Sequence, residues 1–368
     1  MFVLLIALCA LLCVQLSPRG SFHEDGFSRE QTRSLKGLFA LSVLLHHLCA
    51  YLSAEFRSLI AFRYVGFIAI GGFFLISGYG LMHSAQTNPR YLQGFFRRRI
   101  LTILVPYYII NLFYCLINCL GRDLPSAVRY ILRSLVGLHL WYVPVILLLY
   151  VVFFLSFRFL SQRIACLAVT AVTVVYMVVM YCLYRFGGYG AYGFWWYNSV
   201  IAFPLGMWYC RYRESIHALI QKKYPLWMTG AAAGFAAVYW WTCPRHNDGT
   251  LPVLLMQILC VILFCGVLVL LSQKVHFSNP ILRFCGDHSL EIYLWHALFI
   301  AIFRSGYTIR LPWIGWEWSL FVDNGDLYIA AIMAATGIAS WAVHGLCARI
   351  LGKKKTAVPA KEPLTAGK

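Results

Sequence analysis

The feature that most constrains this chain is a succession of apolar runs, each close to the length of a membrane crossing, separated by short basic or aromatic stretches. A helix needs about 20 mostly apolar residues to cross a bilayer. Ten segments qualify: 34–53, 64–83, 100–120, 138–157, 164–184, 194–210, 226–242, 252–272, 285–303 and 327–350. In lipid such runs satisfy their own backbone only as helices or closed barrels, and continuous rather than alternating hydrophobicity selects helix. The expected fold is therefore all-α and polytopic, a bundle of about ten core transmembrane helices. Composition agrees, with 61% hydrophobic and only 12% charged residues.

A shorter run, "FVLLIALCALLCVQL" at 2–16, is expected to add one N-terminal helix. A signal peptide carries its basic residues before the apolar stretch, whereas here Arg19, Arg29 and Arg33 follow it, so the helix is expected to be retained. The domain reading is an N-terminal hydrophobic helix and short linker over 1–27, one transmembrane domain over 28–350, and a basic tail over 351–368 that is expected to be disordered.

The formal net charge is +18. In a soluble protein that excess would suggest nucleic acid, but no basic stripe is interleaved with exposed aromatics, and none is expected as a partner. The basic residues instead sort by side. Taking the spans in order, 22 of the 31 fall on the side that precedes residue 34, including Lys36, Arg97–Arg99 and the tail. By the positive-inside rule that side is cytoplasmic, which predicts a multi-pass protein of the cell membrane with its C-terminus inside. The thirteen cysteines lie almost entirely within apolar runs and form no CxxC pair, so they read as small core residues and no metal is expected. The two halves share no motif, which weighs against the repeat-built transporter folds.

Ionisable residues inside spans are costly and mark functional sites. In "SLKGLFALSVLLHHL" (34–48), Lys36 sits at the cytoplasmic end and His47 lies eleven residues further, about 16 Å deeper at 1.5 Å per residue. A mid-membrane histidine suits proton transfer near neutral pH, and equally suits a hydrogen bond between helices. "FCGDHSLEIYLWHALFI" (284–300) brings Glu291 and His296 inward from the same side, His296 to a depth like that of His47. Neighbouring helical residues diverge by about 100°, so only one of His46 and His47 is expected to face a pocket, and the spacing from Lys36 favours His47. "YLQGFFRRRILTILVPYY" (91–108) sets Arg97, Arg98 and Arg99 at a cytoplasmic mouth, either as a positive-inside anchor or as a phosphate site. "GFIAIGGFFLISGYGLMHS" (66–84) is glycine-rich, for close helix packing or to leave room for an elongated ligand that Ser77 and Tyr79 would hydrogen-bond. "LHLWYVP" and "GFWWYN" place aromatics near the outer face, as an interfacial belt or as faces for a sugar ring.

Together these pieces resemble the membrane-bound acyltransferase family 3, whose members mostly O-acylate cell-surface carbohydrates in bacteria. The resemblance spans residue 28 to about 350 and rests on the cation and histidine of Lys36 and His47, "GGFFLISGYGL", "FFRRRILTILVPYY", "LWYVPVILLLY", "FPLGM" and "GDHSLEIYLWH". The family's first cation is usually arginine and here is Lys36; a further arginine that often precedes the proline is here Thr102. The resemblance implies acyl-CoA as co-substrate, with acetyl-CoA the commonest case, and a carbohydrate acceptor at the outer face. It casts His47 as general base, with His296 and Glu291 as stabilising or orienting groups. Lys36 and Arg97–Arg99 would hold the nucleotide phosphates, and Ser77 and Tyr79 the acyl-carrying arm. The competing readings are a polytopic transporter of a lipid, acyl donor or ion, and a glycan polymerase or ligase; the latter commonly relies on a large charged outer loop, and the longest outer loop here, about 304–326, is short and reads instead as a place for the acceptor.

Overall fold

The computed structural model describes residues 13–23, 25–49, 57–188, 193–304, 306–311 and 315–352. Among these the chain is built almost entirely of helix, as expected of an all-α membrane protein. Helix α1 (Arg29–Leu48) starts where the Ser28 hydroxyl accepts the Gln31 backbone N–H at 3.1 Å, which satisfies one of the unpaired donors of a first turn. Gln31 itself is fully buried and clamps a strand: Nε2 donates to the Val275 carbonyl at 3.0 Å, and Oε1 accepts the Phe277 N–H at 2.7 Å. That strand, β2 (Val275–Phe277), pairs antiparallel with β1 (Val14–Leu16), Val14 opposite Phe277. The end of the first apolar run is thus strand, and the helix expected over its earlier part falls, through residue 12, outside the described residues.

The remaining helices are α2 (Gly66–Thr87), α3 (Leu101–Cys119), entered through a π-helical turn at Phe96–Ile100, α4 (Leu124–Leu135), α5 (Tyr142–Phe159) and α6 (Gln162–Arg185). They continue as α7 (Ala202–Arg211), α8 (Arg213–Lys222), α9 (Tyr224–Thr242), α10 (Leu251–Ser272), α11 (Pro280–Asp287), α12 (Ser289–Phe303) and α13 (Gly325–Ile350). A small hairpin, β3 (Ile309–Leu311) with β4 (Trp316–Trp318), precedes α13. Six helices among the described residues are long and apolar enough to cross a membrane: α2, α3 with its π turn, α5, α6, α10 and α13.

Three stretches differ from the sequence reading. The expected span 194–210 is a 3₁₀ turn at Phe194–Trp196 and further turns leading into the short α7, with the buried side chains of Asn198 and Ser199 held by Gln257 and the Phe67 carbonyl. The segment around Arg122, Arg129 and Arg133 contains helix α4, capped by Asp123, whose carboxylate accepts the Ser126 N–H at 3.0 Å. Leu124, Leu132 and Leu135 of α4 are exposed, the pattern of a helix lying in the membrane interface. The expected span 285–303 breaks at His288 into α11 and α12.

The core around the site is held by glycines. On α1, Gly37 faces the Leu282 carbonyl and the Gly286 nitrogen of α11, while Gly286 faces the Arg33 carbonyl. On α2, Gly78 meets the Phe203 carbonyl of α7, and Gly206 of α7 meets the Leu75 carbonyl of α2. A Cβ at any of these four positions would overlap backbone, so these helix pairs pack backbone to backbone as membrane helices do at small residues. Ion pairs reinforce the α1–α11 contact: Arg33 grips Asp287 with both forks of its guanidinium, Nε to Oδ1 at 2.6 Å, and Arg283 reaches Glu30 at 2.6 Å.

Candidate active site

Two cavities lie in series between α1, α2, α5 and α12. The first, about 150 Å³, is lined among others by Lys36, Phe73, Ser77, Tyr142, Tyr150 and Ser289. The second, about 330 Å³, is lined among others by His46, His47, Trp141, Trp195, Asn198 and His246. They share two lining residues, Ile70 of α2 and Tyr293 of α12. Lys36 and His47 thus stand on one helix, each opening into its own cavity, with a common wall between.

Lys36 lies within electrostatic reach of Asp287, Arg99 and Arg33. The three arginines of the π turn have different surroundings. Arg98 is spent on the carbonyls of Tyr91 and Gln93, closing the loop before α3. Arg97 is exposed and donates to the Leu351 carbonyl at 3.3 Å. Arg99 donates to the Tyr91 hydroxyl at 2.7 Å and acts electrostatically on both Lys36 and Tyr150, so it is the one associated with the first cavity. The three lie on consecutive positions of the π-helical turn and so point in different directions.

Ser77 lines the first cavity against the hydroxyls of Tyr142 and Tyr150. Tyr79 does not: two residues on, about 200° around the helix, it turns to the other face of α2. There it is buried and accepts a hydrogen bond from Arg213 at 3.2 Å, its ring edge-on to Phe27. Three glycines of α2 are packing surfaces, Gly71 on Val261, Gly72 on Phe39 and Gly78 on α7, while Gly66 lines the second cavity.

In the second cavity both histidines of α1 are lining residues, not one as the angular argument required, because α1 ends at Leu48 and the cavity wraps over its last turn. Their settings differ. His46 Nδ1 donates to the Phe62 carbonyl at 3.2 Å, and its other edge is pressed against Gly66, where even a methyl group would come within 2.8 Å of Nε2. The His47 side chain has no hydrogen bond to a described residue, and although deep in the bundle it is exposed to the cavity. Its ring lies 4.9 Å from that of His296. His296 is buried; its Nδ1 donates to the Tyr293 carbonyl at 2.5 Å, which leaves Nε2 unprotonated and without a partner among the described residues. Glu291 faces neither cavity. It accepts a hydrogen bond from His344 of α13 at 2.8 Å, five residues and over a helical turn from His296.

Several cavity groups carry no role in the sequence reading. A buried chain runs from Asn198, whose amide donates to Gln257 Oε1 at 2.9 Å, to Gln257 Nε2, which donates to the His246 carbonyl at 3.1 Å and stands 3.3 Å from its Nδ1. Burial, together with the nearby His46, pushes the His246 imidazole below its usual range and keeps it neutral. Gln257 was findable in principle, as the one strongly polar side chain within the apolar run 252–272. Tyr293 belongs to the "SLEIYLWH" stretch, but only the fold reveals that it touches both cavities. In the 304–326 loop, Trp316 and Trp318 stack on each other with ring centroids 6.5 Å apart and line neither cavity. Among the described residues no group of histidine, cysteine or acidic side chains is arranged to hold a metal ion.

No curated protein and no solved structure matches the chain. The family model described as an acyltransferase domain does, over residues 33–344, a range that takes in most of α1, both cavities and most of α13. With its helical membrane architecture, that match places this chain in acyltransferase family 3: it is a multi-pass membrane acyltransferase.

Proposed function

We propose that the protein is an O-acyltransferase that moves an acyl group, acetyl in the first instance, from cytoplasmic acyl-CoA to a hydroxyl of an extracytoplasmic or lipid-linked carbohydrate. The observation that carries this reading is the pair of cavities in series, one with Lys36 near Arg99 and the other with His47, meeting at Ile70 and Tyr293. Transfer between a donor on one side of a membrane and an acceptor on the other needs that arrangement: two binding spaces that touch where the acyl carbon changes partner. Lys36 and Arg99 supply the cationic mouth suited to the donor's phosphates, with Arg97 further out, and Ser77 lies along the path of the acyl-carrying arm. Trp141 and Trp195 give the second cavity flat apolar faces, and Asn198 and His246 give it hydrogen-bonding edges, the combination a sugar ring requires.

In the reaction His47 takes the proton of the acceptor hydroxyl as its oxygen attacks the thioester carbonyl; the carbon–sulfur bond then breaks, and the proton is returned to the departing thiolate. His47 suits this better than His46, whose Nδ1 is committed to Phe62 and whose other edge is closed by Gly66. His296, fixed by the Tyr293 carbonyl, stands with its ring 4.9 Å from that of His47 and serves to orient it. Glu291 braces α12 against α13 through His344.

His47→Ala is expected to lower acyl transfer by about 10²–10⁴-fold, the usual contribution of a positioned general base. His46→Ala should retain most activity. Radiolabel passing from acetyl-CoA to the envelope polysaccharide in membranes holding each variant is the measurement. Full activity in a folded His47→Ala protein would sink the assignment, and transport without CoA release would replace it with a transporter.

A further inference from the structure

Resting on that reading, the tetrahedral intermediate must form where the two cavities touch, since the thioester enters from one and the hydroxyl from the other. Two side chains line both, and one of them, Ile70, is an alkyl group. The other is Tyr293, 8% exposed, whose one polar side-chain group is its phenol. The phenol is also placed. Its oxygen accepts the backbone N–H of Tyr142 at 3.4 Å, the peptide joining Trp141, which lines the second cavity, to Tyr142, which lines the first. The ring is fixed on two sides, 5.3 Å from the Tyr142 ring and 5.6 Å from His296, while its own carbonyl takes the His296 Nδ1–H. The phenol hydrogen meets no acceptor among the described residues.

A hydroxyl held rigidly by a hydrogen bond it accepts, with its proton unused, is a preorganised donor. We infer that Tyr293 is a catalytic residue whose phenol donates a hydrogen bond to the thioester carbonyl oxygen as that oxygen takes up negative charge. As the acceptor oxygen bonds to the carbonyl carbon, the carbonyl electron pair moves onto oxygen, and the phenol stabilises it without giving up its proton. On collapse the pair returns, the carbon–sulfur bond breaks, and the thiolate takes the proton held by His47. Tyr293 and His47 then divide the work, one serving the electrophile and the other the nucleophile, and the His296 bridge between their rings keeps them in register.

The test uses the full-length protein in detergent or nanodiscs, with acetyl-CoA as donor and base-deacylated envelope polysaccharide of the source cells as acceptor. Tyr293→Phe removes one oxygen and is expected to lower kcat by about 100-fold, the scale for losing one oxyanion donor. KM for both substrates should stay within about threefold, since the interaction is made chiefly in the transition state. S-ethyl-CoA, which keeps the nucleotide and lacks the carbonyl, should bind Tyr293→Phe and the parent equally, and that binding also reports a folded donor site. Installing 3,5-difluorotyrosine at 293, whose phenol is more acidic, should move the alkaline fall of kcat to lower pH. The inference is overturned if Tyr293→Phe keeps kcat within threefold, if its loss is all in the acetyl-CoA KM or in S-ethyl-CoA binding, or if fluorination leaves the pH profile in place. His47→Ala in the same assay separates the two readings. Inactive His47→Ala beside active Tyr293→Phe defeats only the role of Tyr293, whereas active His47→Ala defeats the acyl-transfer mechanism itself.

Discussion

Helices α2 and α9 look alike as strings of letters, and the fold treats them as opposites. Both are apolar, about twenty residues long and rich in small side chains, "GFIAIGGFFLISGYG" in one and "GAAAGFAA" in the other. Most of α2 is buried, and four of its five glycines, all but Gly80, meet neighbouring side chains or backbone; in α9 only Thr242 is buried, a Cβ on Gly234 would stand 3.7 Å from Leu263, and Gly230 has nothing within 4 Å of where one would stand. A small-residue run therefore permits close packing without requiring it. The partner decides: α7 returns Gly206 to the Leu75 carbonyl where α2 offers Gly78 to Phe203, and a reciprocal exchange of this kind brings two backbones together. Nothing reciprocates for Gly230.

The strongest way to break the comparison is to spoil the exchange. Gly206→Val places a branched side chain against the Leu75 carbonyl and the Tyr79 nitrogen, and backbone cannot yield as a flexible side chain can. Overpacking of a tight core costs about 1–3 kcal/mol and occasionally more, and this site belongs at the upper end. The expected outcome is loss of the monodisperse peak in detergent size-exclusion chromatography at temperatures where the parent survives. A variant as heat-stable as the parent would mean that α2 and α7 do not pack through their backbones.

A finer test stays within α2 and contrasts its two faces. Ser77 lines the first cavity and Tyr79 the opposite side. Ser77→Leu should fill part of a space of about 150 Å³ and raise the acetyl-CoA KM by about tenfold, a loss of about 1.4 kcal/mol. Tyr79→Phe removes the hydrogen bond from Arg213 and should cost about 1 kcal/mol of stability with KM unchanged. Equal effects on KM would erase the distinction between the faces.

That contrast marks how far the sequence could be read. Fold class followed from span length alone, and the adjacency of His47 and His296 followed from depth, because α1 and α12 enter the membrane from the same side and helix rise is constant. What depth cannot supply is azimuth. Glu291 shares a helix with His296 yet turns to His344, Tyr79 sits two residues from Ser77 yet faces Arg213, and Arg97–Arg99 divide among the Leu351 carbonyl, the Tyr91 and Gln93 carbonyls and the Tyr91 hydroxyl. The shortening of 194–210 was hidden for another reason: its aromatic residues score as apolar, while the partners that hold the buried Asn198 and Ser199 side chains, Gln257 and Phe67, are both distant in sequence.

The smallest predicted effect is also the cleanest statement about α9. Gly230 borders an apolar groove of about 810 Å³ that Trp208, Trp227 and Leu270 also line, and a side chain built there meets no wall. Gly230→Leu should therefore shift stability by less than about 1 kcal/mol, and upward if at all, since glycine is the weaker helix former by roughly that amount. Acyl transfer should be unchanged, because α9 contributes no residue to either cavity in series. The same substitution at Gly78 would drive its side chain into the Phe203 carbonyl. A Gly230→Leu protein that melted early in detergent, as the Gly206→Val protein is expected to do, would show that α9 docks as tightly as α2. The groove would then be a packed interface, and the difference between the two helices would be lost.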